Sequence, residues 1–368
     1  MKTSYKRTMY ACFVGYIVQA IVNNFVPLLF VTFQKTYQIP LSKITLLITI
    51  NFIIQLLIDL LSAGFVDRIG YKASVTIAHI CSAVGLLALT LLPELTADPF
   101  AGILIAVAIY AVGGGLLEVL ISEACPTDNK EKAMSLLHSF YCWGHVGVVL
   151  ISTIFFSTMG IENWKILARI WAVIPVLNGI VFLFSPIYSL HEEGEKGLTI
   201  CELFGKKIFW VVMLMMTCAG ASEQAVSQWA STFAEEGLKV SKTVGDLAGP
   251  MAFAFLMGLA RLLYGKYGEK IDLKRFMTYS SILCVISYLC ISFVPNPLLS
   301  LLGCAICGFS VGIMWPGTFS IASASIRGGG TAMFALLALA GDLGCSGGPT
   351  LAGFVSSNLG NNLRMGIL

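Results

Sequence analysis

Eleven long apolar runs divide this sequence, and each is long enough to cross a lipid bilayer as a helix. A hydrocarbon core about 30 Å thick needs about 20 apolar residues at a rise of about 1.5 Å per residue. The runs, numbered here as segments 1 to 11, span residues 8–33, 43–65, 73–92, 99–124, 133–158, 165–187, 207–233, 242–264, 275–294, 298–324 and 330–356. Because a spanning helix satisfies its backbone hydrogen bonds internally, the pattern predicts an all-α protein embedded in a lipid bilayer.

The composition excludes several other classes of protein. Apolar residues make up 57% of the chain and charged residues 12%, against roughly 45–50% and about 25% in soluble domains. The net charge of +3 is too small for the basic face that binding to nucleic acid requires, so no nucleic-acid partner is expected. Most of the eleven cysteines, including Cys304 and Cys307, lie inside apolar runs without histidines nearby. We therefore expect them to be packing residues, and we expect neither a metal site nor a cofactor.

The basic residues between the segments are distributed unequally. With the N-terminus inside, sixteen of the 23 Lys and Arg residues fall on the cytoplasmic side, and the remaining seven fall outside. Cytoplasmic loops are enriched in Lys and Arg, so this distribution predicts a cytoplasmic N-terminus in a plasma (inner) membrane.

One long connection divides the chain into two similar halves. The predicted organisation is an N-terminal six-helix bundle over residues 1–187, a cytoplasmic central loop over 188–206, and a C-terminal bundle over 207–368. Each half carries a glycine-rich basic stretch at the end of its second segment, which indicates parallel repeats. A second half of equal length would extend about one helix further. Residues 361–368 are therefore interpreted as the beginning of a sixth helix in that bundle, the twelfth overall, which is absent.

The stretch after segment 2 resembles the loop between helices 2 and 3 of the major facilitator superfamily, and the repeat extends the resemblance over nearly the whole chain. The matching residues are Gly64, Asp67, Arg68, Gly70 and Lys72. In that family the loop holds the cytoplasmic side closed through charge contacts. The resemblance implies the family's fold of two six-helix repeats and alternating access. It also implies a cytoplasmic gate at these residues, at Asp59 and at Arg261 in the second copy.

A narrower resemblance is to the fucose permease-like sugar:proton symporters. Gly113, Gly114, Gly115, Leu117 and Glu118 are similar to the fourth helix of that group, and Gly220, Glu223 and Trp229 are similar to the seventh helix of related carriers. This resemblance implies a membrane-embedded glutamate that couples transport to protons. Segment 1 departs from the pattern, because Asn23 and Asn24 stand where the group has an Asn-Asp pair. Proton-coupled export of amphipathic compounds therefore remains the alternative to sugar import.

Ionisable side chains inside the segments are candidates for proton coupling. A carboxylate in hydrocarbon must be paired or protonated, so Glu118 on segment 4 is a candidate coupling residue. A free histidine side chain titrates near physiological pH, so His145 on segment 5 is a candidate proton relay to Glu118. The alternatives are an interhelical hydrogen bond for Glu118 and a neutral, structurally bonded histidine for His145.

Polar and aromatic side chains on the facing segments predict a wall that contacts the solute. Gln19 and Asn23, like Gln224 and Gln228, are four residues apart and share one helix face. The candidate solute-binding residues are Gln19, Asn23, Asn24, Glu223, Gln224, Gln228, Trp229, Trp315 and Asp342. The alternative for the amides is interhelical hydrogen bonding, which is common in membranes. Pro316, next to Trp315, is expected to free a carbonyl and permit a bend.

The sequence thus favours a secondary transporter that moves a small polar solute, most simply a sugar, with protons by alternating access. We expect it to act as a monomer. A membrane-embedded enzyme is disfavoured because no nucleotide signature accompanies His138 and His145. A sensor of the same fold, which binds its solute without flux, remains open.

Overall fold

The computed structural model describes residues 3–124, 130–186, 198–267 and 271–368. Within these ranges the α-helices are Thr3–Asn24, Phe30–Tyr37, Leu41–Ile69, Tyr71–Leu95, Pro99–Ala124, Lys130–Met159, Trp164–Leu183, Ile200–Phe204, Lys207–Thr232, Lys242–Asp246, Ala252–Tyr267, Leu273–Phe293, Pro297–Val311, Met314–Ser325, Gly330–Asn358 and Leu363–Ile367. Short 3-10 helices cover Val26–Leu29 and Ile161–Asn163, and π-helical turns cover Phe233–Gly237 and Leu247–Met251. No strand occurs among the described residues, and the all-α prediction is confirmed.

Eleven helical stretches in the described ranges are long and apolar enough to cross a membrane, and they coincide with the predicted segments. Large apolar side chains such as Leu214, Leu298 and Leu351 remain mostly exposed on the outside of the bundle. Side chains of this kind face lipid at no cost, whereas in water they would form an unusually large apolar surface. The protein is therefore a multi-pass membrane protein. Its segment 1 leads from the N-terminus to the opposite end of the bundle, which is called the far end below.

Two prolines interrupt segments and redirect backbone hydrogen bonds. Proline has no N–H to donate to the carbonyl four residues earlier. Pro27 leaves the Asn23 carbonyl open, and this oxygen accepts a hydrogen bond from Gln228 Nε2 of the other half at 3.2 Å. Pro316 similarly leaves the Gly312 carbonyl open at the break between helices Pro297–Val311 and Met314–Ser325. The expected bend in segment 10 is present.

The parts of the chain outside the long segments include two short helices. Residues 188–197 of the predicted central loop lie outside the described residues. Helix Ile200–Phe204 follows them and begins with a capping box between Thr199 and Glu202. Helix Leu363–Ile367, in the stretch interpreted as the beginning of a twelfth helix, returns toward segment 11 with its first and last residues buried. Arg364 donates to the carbonyls of Ile291 and Val294 at the end of segment 9.

Small residues allow segments 7 and 11 to approach closely. A Cβ atom at Gly348 would lie 2.7 Å from the Cα atom of Ala221, and a Cβ at Gly220 would lie 3.0 Å from the Cys345 sulfur. At Gly347, by contrast, an added Cβ would meet no atom within 4 Å. This interface therefore depends on glycine at some positions and tolerates a side chain at others.

We predict that Gly348→Ala lowers the stability of the purified protein by about 1–3 kcal/mol, because the new methyl group overpacks the interface. Gly347→Ala is the matched control and should be neutral or slightly stabilising, since alanine favours the helix. The measurement is the thermal unfolding midpoint in detergent. Equal midpoints for the two variants would contradict the close packing.

Candidate functional site

A cavity of about 60 Å³ lies between the two halves at mid-depth. Its lining residues are Tyr16, Gln19, Asn23, Phe52, Gln55, Glu118, His138, Tyr141, Glu223, Gln224, Arg261, Trp315, Asp342 and Cys345. The volume is smaller than the roughly 300–1,000 Å³ typical of small-molecule sites, so the halves must separate further before a solute of that size enters. Segments of both halves contribute side chains, so a molecule held here would contact both halves.

The cavity wall contains six of the nine residues predicted to contact the solute, and a seventh lies next to one of them. These are Gln19, Asn23, Glu223, Gln224, Trp315 and Asp342 in its wall, with Asn24 just behind Asn23. Asn24 does not line the cavity, because its amide donates to Tyr141 Oη at 3.2 Å and to the Ala20 carbonyl at 2.9 Å. Its contribution is to position Tyr141, which does line the cavity.

Gln228 and Trp229 do not line the cavity, although the sequence analysis placed both in the wall that contacts the solute. Gln228 Nε2 donates to the Asn23 carbonyl and to Gln224 Oε1, at 3.2 and 3.1 Å. Trp229 is completely buried, donates from Nε1 to the Pro349 carbonyl at 2.8 Å, and contacts the Phe30 ring. In this arrangement neither residue lines the cavity, because the neighbouring segments already use their polar atoms. They form a layer between the cavity and the far end.

Glu223 and Arg261 form a buried ion pair in the cavity wall. Arg261 Nη2 is 3.2 Å from Glu223 Oε2, and the two side chains are 6% and 9% exposed. The same guanidinium donates to three further acceptors, the Gly312 carbonyl, the His138 carbonyl and the Cys142 sulfur, each at 3.2 Å. His138 and Cys142 belong to the first half and Arg261 to the second, so this guanidinium joins the halves.

The sequence analysis placed Arg261 in a cytoplasmic gate. In the structure it lies in the wall of the central cavity instead. Its Nε–H bonds the Gly312 carbonyl that Pro316 leaves open, which fixes the guanidinium inside the protein. Arginine is suited to this position because its planar group donates in several fixed directions at once. The sequence signal that could have found the pair is an arginine within segment 8 together with a glutamate within segment 7.

Three carboxyl groups from three segments converge beside the cavity. One oxygen each of Asp59, Glu118 and Asp342 lies within 4.8 Å of the others. Two ionised carboxylates at that separation repel by about 3 kcal/mol at an effective dielectric constant of about 20. The cluster therefore favours a shared proton or a small cation. Asp59, which the sequence assigned to the cytoplasmic gate, belongs to this carboxylate cluster instead.

Amide side chains hold Glu118 and Asn23 in place. Gln19 Nε2 donates to Glu118 Oε2 at 2.5 Å. Asn23 Oδ1 accepts from Gln55 Nε2 at 2.8 Å and from Asn51 Nδ2 at 3.3 Å, both on segment 2. The sequence missed Gln55, although its position within an apolar segment could have marked it.

His138 rather than His145 reaches the cavity. His145 is 1% exposed and is not among the lining residues, so the predicted relay from His145 to Glu118 has no support in this arrangement. His138 lines the cavity and makes an edge-on contact with Tyr16, at 5.5 Å between ring centroids. The aromatic faces of Tyr16, Phe52, Tyr141 and Trp315 complete the wall.

The predicted gate after segment 2 is only partly described. Arg68 and Lys72 are exposed, and Gly70 joins the two helices with a φ of +86°, a conformation that favours glycine. At Gly64 and Asp67 the backbone is helical, and the Asp67 side chain lies outside the described part of the structure. The gate at these residues stays a prediction.

Charged and hydroxyl side chains join the two halves at the far end, which is closed. Lys35 Nζ lies 3.0 Å from Glu235 Oε1 and 3.3 Å from Glu236 Oε1. The Ser157 and Thr243 hydroxyls are 3.0 Å apart. None of these contacts was predicted from the sequence, because each pairs residues about 86 to 200 positions apart.

The family model of the Major Facilitator Superfamily matches residues 11–349. The chain belongs to the major facilitator superfamily. Members of this superfamily are transporters, and the predicted major facilitator fold, with eleven candidate spans among the described residues, is confirmed. Among curated protein sequences, none matches this chain significantly.

Solved structures share the fold at low sequence identity. The E. coli xylose transporter XylE, in a partially occluded inward-open conformation, is 13% identical over 100% of this chain and 94% of its own, with a TM-score of 0.78. A bacterial homolog of the human lysosomal transporter Spinster is 15% identical over 97% and 84%, with a TM-score of 0.74. The E. coli fucose:proton symporter FucP is 15% identical over 99% and 95%, with a TM-score of 0.67.

We predict that Arg261→Gln and Glu223→Gln each destabilise the protein by about 3–5 kcal/mol, because each leaves one buried charge without its partner. The double variant should lose less stability than the sum of the single variants. Arg275→Gln, which removes one partner of an exposed ion pair with Asp272, is the control and should change stability by less than about 1 kcal/mol. Thermal unfolding of the purified variants measures these differences. Additive losses would show that Glu223 and Arg261 are not coupled.

Proposed function

We propose that this protein is a proton-coupled carrier of a small neutral solute, a sugar in the simplest case, working by alternating access. The carboxylate cluster is the observation that carries the proposal, because it joins both halves next to a cavity lined by amides and aromatic rings. We further propose that the protein acts as a monomer in a plasma (inner) membrane with a cytoplasmic N-terminus. The far end then faces outside.

The charges in the cavity favour a neutral solute over an anion. Among the described lining residues, Glu118, Glu223 and Asp342 stand beside a single permanent cation, Arg261. Four donor contacts occupy the Arg261 guanidinium, namely those to Glu223, Gly312, His138 and Cys142. Little of it is left to receive a carboxylate or phosphate, and the surrounding carboxylates repel anions. Hydroxyl groups, in contrast, both donate to carboxylates and accept from amides.

The same geometry supports a way for protons to couple to a motion of the halves. Asp59 and Glu118 belong to the first half and Asp342 to the second. A proton shared among them removes repulsion and stabilises the arrangement in which the halves meet at the cluster. Loss of that proton restores repulsion of about 3 kcal/mol per pair and drives the halves apart at this point. Proton binding and release therefore shift the population between the two accessible states.

Sugar rings suit the remaining wall. Tyr16, Phe52, Tyr141 and Trp315 offer apolar faces beside the amides of Gln19, Asn23 and Gln224. Aromatic faces cover the C–H side of a ring while amides bond its hydroxyls, the division of roles expected of a polar-solute site. The fold neighbours XylE and FucP are sugar carriers by their names, which agrees with this proposal.

We predict that Glu118→Gln abolishes accumulation of the solute against its gradient while exchange between equal pools continues. The amide keeps the size and the contact with Gln19 but cannot release a proton. The measurement is uptake of labelled sugars into proteoliposomes with an imposed pH gradient, followed by exchange without a gradient.

Glu94→Gln is the matched control, since Glu94 is 64% exposed and pairs with Lys165 away from the cavity. It should accumulate solute as the unmodified protein does. Unchanged accumulation in Glu118→Gln would contradict the coupling role. Accumulation driven by a sodium gradient and not by a pH gradient would instead assign the carboxylate cluster to a cation.

A further inference from the structure

A second cavity lies at the far end of the bundle and belongs to both halves. Its volume is about 350 Å³. The lining residues are Val31, Thr32, Lys35, Thr36, Thr153, Phe156, Ile161, Glu235, Lys242, Thr243 and Asp246. They come from the far ends of segments 1 and 5 to 8, so the cavity lies over the boundary between the halves.

One layer of side chains separates this outer cavity from the central one. Along segment 7, Gln224 lines the central cavity and Glu235 the outer cavity, about 16 Å apart at the rise of an α-helix. Between them lie the Gln228 bond to the Asn23 carbonyl and the contact between Trp229 and Phe30. The outer cavity therefore follows the central cavity along segment 7, with the layer of Gln228 and Trp229 between them.

The backbone around the outer cavity departs from regular helix at two places. The π-helical turn Phe233–Gly237 contains Glu235, and a second π-turn, Leu247–Met251, begins directly after Asp246. Turns of this type are rare and are frequently found at functional sites. Here they bring two carboxylates into one cavity wall.

The polar groups of the wall are only partly satisfied. Asp246 is 1% exposed and bonds Ser231 Oγ and Lys242 Nζ. Thr153 is 3% exposed, and its Oγ1 atom has no hydrogen-bond partner among the described residues; neither does the buried Oε2 atom of Glu235. A buried polar atom without a partner is destabilising, so a bound molecule that formed hydrogen bonds with Thr153 and Glu235 would remove this cost.

We propose that the outer cavity is a second solute site. It takes a neutral polyhydroxylated molecule before the layer of Gln228 and Trp229 opens toward the central cavity. The class of ligand rests on the proposed function, since it is the class assigned to the central cavity. Lys35 and Lys242 balance Glu235 and Asp246, so neither an anion nor a cation gains from the site as a whole. A hydroxyl group can donate to Glu235 Oε2 and accept from Thr153 Oγ1, and the Phe156 ring offers a face to a sugar ring.

The test uses the purified full chain in detergent, where both ends are accessible. Thr36, an exposed residue of the cavity wall, is replaced by cysteine, and the rate of maleimide labelling is compared with that of the parent chain. The probes are neutral aldohexoses and aldopentoses, with gluconate and choline as charged controls. At a sugar concentration of about ten times Kd, labelling of Thr36→Cys should slow about tenfold, because only the unoccupied fraction reacts.

Three further variants identify the site responsible. Thr153→Val should raise the sugar concentration needed for protection about fivefold or more, through loss of one hydrogen bond. Thr158→Val is the matched control, since Thr158 lies on the same helix and bonds its own backbone. Gln224→Ala in the central cavity should leave the protection unchanged.

Three results would overturn the outer site. These are no protection by any sugar, protection by gluconate or choline alone, and protection that disappears in Gln224→Ala. The last would mean that labelling reports occupancy of the central cavity. A sugar that is transported without protecting the introduced cysteine defeats this inference alone, whereas a sugar that protects without being transported defeats the proposed function alone.

Discussion

The cost of an unpaired charge in hydrocarbon governs the arrangement at the centre of this protein. Such a charge is tolerated only beside a partner or a polar cavity. Arg261 meets this condition through Glu223 and three acceptors drawn from both halves. For Asp59, Glu118 and Asp342, whose carboxylate oxygens converge, we propose that a shared proton or cation meets this condition. Each solution joins the halves, so the energy that keeps charges inside the membrane also links charge state to the contact between halves.

Prolines supply the backbone acceptors on which this arrangement depends. Pro316 opens the Gly312 carbonyl to Arg261, and Pro27 opens the Asn23 carbonyl to Gln228. An uninterrupted helix would have consumed both oxygens internally. The breaks in segments 1 and 10 therefore provide bonds between segments at the depth where the central cavity and its closing layer lie.

The sequence predicts the segments from the length of its apolar runs. It singles out Glu118 because an ionisable residue stands out within such a run. It fails at Arg261 and Asp59. Both lie near segment ends, so the sequence pattern assigns them to the cytoplasmic gate, and their actual partners are distant in the chain. His138 and His145 lie on roughly the same helix face, and only the packing of neighbouring segments decides which one meets the cavity. Trp229 illustrates the same limit of sequence analysis. A tryptophan beside amide side chains has the same sequence pattern whether it lines a cavity or packs between helices.

The measurement that tests the central claim most directly is the pH of a weakly buffered suspension of cells that express the chain, recorded as neutral sugars are added one at a time. Proton-coupled uptake predicts alkalinisation of the medium by at least one sugar, with a size that saturates as its concentration rises. A pH that stays constant for every sugar, in cells shown to hold the protein in their membrane, would contradict the account.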